Sequence, residues 1–140
     1  TVRPRPSGQN DLVEKTINVP RERTGGYVNL AVRFDVNSYA IRPESISILD
    51  KLGAAIAHPK LKERSLFVNG HTDTDGTETY NLHLSLKRAI AVRDYLINNL
   101  DIARSRLRVM GYGEGVPLVK NNSAQNKQNN RRVEIVANAP

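Results

Sequence analysis

Asp73 and Arg88 are the two residues of this chain whose types and spacing suit ligand recognition, and polar residues gather around both. The segment Gly70-His71-Thr72-Asp73-Thr74-Asp75-Gly76 is a polar turn directly after an apolar run, and Asn81 and then Leu84-Ser85-Leu86-Lys87-Arg88-Ala89 follow it. A helix beginning near Thr79 rises about 1.5 Å per residue, which puts Arg88 some two turns inside it. The long side chain leans back toward the helix N-terminus, where the turn holding Asp73 sits. Arginine grips a carboxylate with a two-pronged fork that lysine does not reproduce. Aspartate accepts charge-assisted hydrogen bonds from an ammonium. Together the two suit a ligand bearing ammonium and carboxylate on one carbon, each half lacking a partner until the ligand arrives. The competing reading of the same spacing is an internal Asp73–Arg88 salt bridge.

Other chemistries find less support. Thr72, Asp75, Thr77 and Asn81 add polarity near the pair, but turn and cap bonding accounts for such residues equally well. The His71 to Asp75 run lacks the terminal carboxylate of a calcium loop, and no His-Glu-x-x-His pattern is present, so no metal or other cofactor is expected. There is no Gly-x-Ser-x-Gly elbow, and only His58, His71 and His83 are available as histidine bases, so an enzyme is not expected. Gly111-Tyr112-Gly113-Glu114-Gly115 has the composition of a nucleotide loop, yet Pro117 follows where a dinucleotide site needs a helix N-terminus. His71 reads as a packed residue at a strand end. Asn130-Arg131-Arg132-Val133 reads as surface bases on a sheet edge, or as a pocket rim from its place before a strand.

The elements that must position these groups follow from periodicity and punctuation. Tyr27 to Phe34 is rich in strand formers, and the Asp35 to Ser38 turn breaks it. Pro43 is well placed at the first position of a helix whose apolar face holds Ile46, Ile48, Leu49, Leu52, Ala55 and Ile56. Ser65 to Gly70 fits a central strand. Thr77 or Thr79 caps a helix running to about Leu100, with a spine of Leu82, Leu86, Ala89, Val92, Leu96 and Leu100. Arg106 to Met110 is a third strand and Arg132 to Val136 a fourth, separated by a Gly/Pro loop and a polar stretch from Asn121 to Asn130. The order strand, helix, strand, helix, strand, strand predicts an α/β chain, with helices on one sheet. It contains two right-handed βαβ units and a last strand returning antiparallel. Residues 1–26, with Pro4, Pro6, Pro20 and three glycines, read as a linker or arm in which Leu12 to Val19 could add a short strand. Residues 27–140 form one domain.

Bulk properties agree. A chain of 140 residues suits one domain, and its 39% apolar and 25% charged residues suit a globular one. No apolar run reaches the ~18 residues of a membrane span. A chain beginning at Thr1 is expected to be a mature form or part of a larger protein, with any signal, lipid anchor or membrane helix upstream. The net charge of +7 favours anionic partners. Aromatics are only 5% and the bases are scattered, unlike the interleaved stacking platforms of nucleic-acid binders, so nucleic acid is not expected. Cysteine is absent, which excludes disulfides.

Taken as one ordered constellation, these motifs resemble the OmpA-like C-terminal domain, the peptidoglycan-binding module of many Gram-negative envelope proteins. The matching pattern is Gly70-His71-Thr72-Asp73-x-x-Gly76, then Asn81-x-x-Leu84-Ser85-x-x-Arg88-Ala89-x-x-Val92-x-x-x-Leu96. Ser105-Arg106-Leu107, Gly111-Tyr112-Gly113-Glu114, Pro117 and Asn130-Arg131-Arg132-Val133-Glu134 continue it, over about residues 27 to 137. The chain departs from it at Asn126-Lys127, where the family often has Gly-Arg. The resemblance implies a βαβαββ fold, an α+β sandwich with a mixed four-stranded sheet packed against helices. It implies that Asp73 takes the ammonium and Arg88 the carboxylate of meso-diaminopimelate in the peptide stem. Phe34, Asp35, Asn37, Thr72, Asn81, Leu84 and Arg131 would then be pocket walls. It further implies a non-catalytic periplasmic anchor, attached to the outer membrane or envelope through an upstream region and able to form a homodimer, with the basic charge assisting approach to an anionic wall. The alternative is a regulatory protein–protein interaction module of the same fold with gated or lost wall binding.

Overall fold

The computed structural model describes residues 30–59, 61 and 64–137; the expected 1–26 arm, its short strand at 12–19 and the first residues of the expected first strand lie outside them. The elements are β1 (Leu30–Arg33), α1 (Pro43–Ile56), β2 (Leu66–Gly70), α2 (Glu78–Leu100), a 3-10 turn (Arg104–Arg106), β3 (Leu107–Gly111), α3 (Ala124–Asn130) and β4 (Arg132–Ala137). Pro43 does open α1, and Thr77 caps α2 by accepting from the Tyr80 N–H at 3.1 Å. The left-handed Asp101 (φ 61°) ends α2, its N–H returning to the Leu96 carbonyl.

The four strands make one mixed sheet in the order β1-β4-β2-β3. β2 and β3 are parallel neighbours joined through α2, as expected. β4 is antiparallel to both β1 and β2, so β1 and β2 run parallel and the first βαβ unit is split by β4 between its strands. β4 is therefore not an edge. All six of its residues are buried, because it has a strand on each side and cover on both faces. Val133, Ile135 and Ala137 join the core with Val32, Leu49, Val68 and Val92. On the opposite face Arg132 is fully buried. Its Nε donates to Glu134 Oε2 at 2.6 Å, and Nη1 and Nη2 donate to the Asn130 and Val116 carbonyls. Arg132 is thus an interior residue, not one of the surface bases expected.

The helix α3 forms within the stretch from Asn121 to Asn130, which the sequence marks only as polar. It buries only Asn130 and has no apolar stripe, so periodicity is silent about it. Ser123 caps it by accepting from Asn126 N–H. Asn130 uses its whole amide: Oδ1 accepts from the Leu118 and Val119 N–H groups at 2.8 and 3.1 Å, while Nδ2 donates to Val119 O and Asn121 Oδ1 at 2.8 and 2.9 Å. That side chain holds the loop expected after Gly111 against the last strand.

Helix α2 lies on β2 and β3 at two glycines that are Cα partners in the parallel register, Gly70 and Gly111. A Cβ on Gly70 would run into the Ser85 carbonyl, and one on Gly111 would stand 2.9 Å from the Leu86 nitrogen and Ser85 Oγ. The close approach turns α2 so that Asn81, Leu84, Ser85 and Arg88 are buried along with Ala89, Val92 and Leu96. The expected spine holds from Ala89 to Leu96, but Leu82 and Leu86 are only half-buried, their place taken by a polar stripe at helical spacing.

Two stability effects follow. Gly111→Ala should cost about 1–3 kcal/mol by overpacking, and Gly70→Ala more, because there the added carbon would overlap the Ser85 carbonyl far more deeply. Denaturant titration reads this order, and equal effects of the two would exclude the helix contact as their cause. Asn130→Asp should cost about 1–3 kcal/mol, since it turns an acceptor toward the Val119 and Asn121 oxygens; a midpoint unchanged at neutral pH would contradict the bonding given above.

Candidate functional site

Three segments meet at the C-terminal end of β2. The turn from His71 to Gly76 leaves the strand, α2 passes beside it, and the turn after β1 folds over both. The first is locked by its own hydrogen bonds. Thr72 N–H donates to Gly113 O, and Thr72 Oγ1 donates to the Asp73 carbonyl at 2.8 Å. That carbonyl also accepts from Asn81 Nδ2, which reaches Glu114 Oε1 at 3.0 Å as well. His71 is buried and stacks on Tyr112, with ring centres 5.4 Å apart, in keeping with its reading as a packed strand-end residue.

Arg88 binds all three segments together. Its Nε donates to Ser38 O at 2.7 Å, Nη1 to His71 O at 3.0 Å and Nη2 to Asp35 O at 2.9 Å. The two carbonyls of the β1–α1 turn converge on it across Asn37, which is left-handed at φ 56°, a conformation asparagine tolerates better than most residues. The guanidinium lies 5.3 Å from the centre of the Phe34 ring. Burial is the main influence on its pKa, pushing it down to about 10; the nearby Asp73 charge works against that shift and Arg131 adds to it. It remains a cation at neutral pH. A guanidinium carries five N–H donors, so with three on carbonyls two are left, one on each terminal nitrogen.

Asp73 and Arg88 make no ion pair with each other, so the internal salt bridge is not formed. Nor is the carboxylate without partners, as had been expected of the free protein. Asp73 Oδ1 accepts the Asp75 N–H at 2.9 Å, and Oδ2 accepts from Arg131 Nη1 at 2.9 Å. Arg131 is fixed from its other side by Nε donating to Phe34 O at 3.0 Å. A carboxylate offers about four lone-pair sites, so Asp73 retains accepting capacity.

Both groups open onto one cavity of about 170 Å3. Of the residues expected as walls, Asn37, Thr72, Asn81, Leu84 and Arg131 line it. Phe34 and Asp35 do not. Phe34 is fully buried beneath the Arg88 guanidinium, and Asp35 contributes its carbonyl while its exposed carboxylate lies 3.7 Å from Arg42. Val36, Asp75, Gly76 and Tyr80 line the cavity without having been singled out as walls. No motif marks Val36 or Tyr80; their exposure, 59% and 45%, is the signal, and it is visible only once the chain is folded. The side chain of Asn81 has its amide nitrogen engaged, while its Oδ1 accepts no hydrogen bond among the described residues. Beyond Asp75 and Arg131 a wider cavity of about 470 Å3 adjoins the first. At its rim Lys127, which departs from the family pattern, pairs with Asp75 at 3.1 Å.

Known proteins resemble this chain in sequence and fold. The chain is 37% identical over 112 residues to outer membrane porin F of Pseudomonas aeruginosa, covering 80% of this chain and 31% of that protein; it thus spans about a third of that relative's length. The peptidoglycan-associated lipoprotein of Burkholderia pseudomallei superposes with a TM-score of 0.69 at 30% identity, over 76% of this chain and 88% of that one. The cell wall anchor of the T6SS from Pseudomonas aeruginosa does so with a TM-score of 0.67 at 29% identity, over 81% and 82%. The family model that matches is the OmpA family, over residues 33–131. That span takes in β1's last residue, the Asp73 turn, Arg88 and Arg131, and the chain belongs to the OmpA family.

Proposed function

We propose that residues 27–140 form a non-catalytic domain that binds peptidoglycan through the meso-diaminopimelate of its peptide stem. The domain then anchors an envelope protein to the cell wall from the periplasm, with residues 1–26 as the linker. Asp73 receives the ammonium of the free diaminopimelate centre and Arg88 its carboxylate. The observation that carries this reading is a buried cation and a buried carboxylate facing one cavity without neutralising each other by contact. Arg88 has two N–H donors to spare and Asp73 has open lone pairs, so a zwitterion meets complementary charge at both ends. Asn81 Oδ1 is a further acceptor for the ammonium. The names of the relatives, a peptidoglycan-associated lipoprotein and a cell wall anchor, support the class of ligand, and an outer membrane porin supports the location.

Calorimetry with a meso-diaminopimelate stem peptide and its lysine analogue tests the reading. Lysine keeps the ammonium but has no carboxylate on the same carbon, so its affinity should fall at least tenfold, on the order of one lost charge-assisted contact. Equal affinities would remove Arg88 from the recognition. Asp73→Asn should lower affinity by about 2–5 kcal/mol, on the order of 30-fold or more, and retention of wild-type affinity for sacculi would overturn the assignment. Arg88→Lys keeps the charge but loses the fork. It should weaken binding and, by leaving the Asp35, Ser38 and His71 carbonyls short of donors, lower the melting temperature as well. Asp73→Asn and Arg88→Lys are therefore compared at a temperature where circular dichroism finds both folded.

A further inference from the structure

Among the described residues the exposed large hydrophobics are Val36, Tyr39, Ile48, Tyr80 and Leu118. Val36, Tyr39 and Tyr80 stand around the mouth of the Asp73–Arg88 cavity or the space beside it. Exposed apolar residues gathered at one place mark a contact surface more often than scattered ones do. On the side away from Lys127 a further cavity of about 310 Å3 shares Asn37, Tyr80 and Leu84 with the first and adds Tyr39, His83 and Lys87. No carboxylate lines it. The Lys87 ammonium lies 5.6 Å from the centre of the Tyr39 ring and makes no ion pair among the described residues. The cations on the opposite side differ, since Lys127 is matched by Asp75 and Arg131 by Asp73. The cavity therefore holds a positive charge and two tyrosine faces without a counter-ion, and it opens directly beside the proposed zwitterion clamp.

We propose that this cavity takes the free α-carboxylate of the γ-linked D-glutamate that precedes diaminopimelate in the stem, with Lys87 as its counter-ion and Tyr39 and Tyr80 packing on the peptide. The proposal rests on the diaminopimelate reading above. With the side-chain centre of diaminopimelate held by Asp73 and Arg88, three methylenes, the second diaminopimelate centre and an amide lead to the glutamate, whose α-carboxylate stands two methylenes further on, and the two cavities adjoin through Asn37, Tyr80 and Leu84. Its α-carboxylate takes no part in cross-linking, whereas a stem acting as acyl donor gives up its terminal carboxylate and keeps its diaminopimelate ammonium, so on such a stem the glutamate anion remains beside the clamped group. Lys87 falls at an unspecified position of the Leu84-Ser85-x-x-Arg88 pattern, so it sets a preference of this chain without altering the clamp.

The test compares three stem peptides by calorimetry. One carries D-glutamate, one the same residue amidated at its α-carboxyl, and one D-glutamate with an amidated C-terminus. Wild type should prefer the first over the second by roughly two- to fivefold, the range of an exposed charge pair, and the preference should shrink as salt is raised. Lys87→Gln should bring that ratio to about one, and the C-terminal amide should bind wild type like the parent peptide. An equal ratio in wild type and Lys87→Gln overturns the proposal while leaving the clamp standing. A loss confined to the C-terminal amide also overturns it, assigning the cavity to the terminal carboxylate. Failure of wild type to bind any of the three overturns the clamp and this proposal together.

Discussion

A buried guanidinium organises this domain. Arg88 takes no solvent, and removing such a charge from water costs several kcal/mol unless its donors are met. Three carbonyls from two loops meet three of the five, and the face of Phe34 adds a further attraction. Meeting the charge with dipoles rather than with a contacting acid has a consequence for recognition. The carbonyls fix the side chain without cancelling its charge, so the cavity keeps a positive potential at its floor. The same bonds tie the turn after β1 to the end of β2, so the geometry of the cavity and the stability of its walls are one property.

Arg106 also donates to three carbonyls. Its Nε, Nη1 and Nη2 reach the Arg64, Ile56 and Leu61 carbonyls at 3.1, 2.9 and 2.6 Å and close the connection between α1 and β2. Arg132 gathers the Asn130 and Val116 carbonyls beside its pairing with Glu134. Arginine suits this work because its planar fork is pre-organised and stays charged when dry. Part of the basic excess thus lies inside the fold rather than at the surface, although its charge still counts in the net +7.

The helices α1 and α2 and the strands β2 and β3 were legible because each carries a local mark: Pro43, the Thr77 cap, or an apolar run bounded by turn residues. That Asp73 and Arg88 come to one cavity was legible from the turn and helix that carry them, and their action as a zwitterion clamp is the function proposed above. What escaped depends on contacts far apart in sequence. The pairing of Asp73 with Arg131 spans 58 residues, and nothing local announces it. Arg132 and Glu134 alternate with apolar residues as on a solvated edge, yet β4 has a strand on each side and a loop over its polar face. The half-burial of Leu82 and Leu86 has the same origin, since Gly70 and Gly111 set the rotation of α2 from the sheet side.

The placement of β4 has a temporal consequence. It is the last element in the order of the chain, yet it is the strand that joins β1 to β2 and β3. Until residues 132–137 have left the ribosome or the translocation pore, β1 has no neighbour in the sheet, and Arg131, immediately before the strand, has not reached Asp73. Pairing of this kind between distant segments slows folding. β2, α2 and β3 can pair before β4 emerges, whereas β1 and the contact of Arg131 with Asp73 must wait for it, so this side of the wall-binding geometry proposed for the chain would arise in a late step.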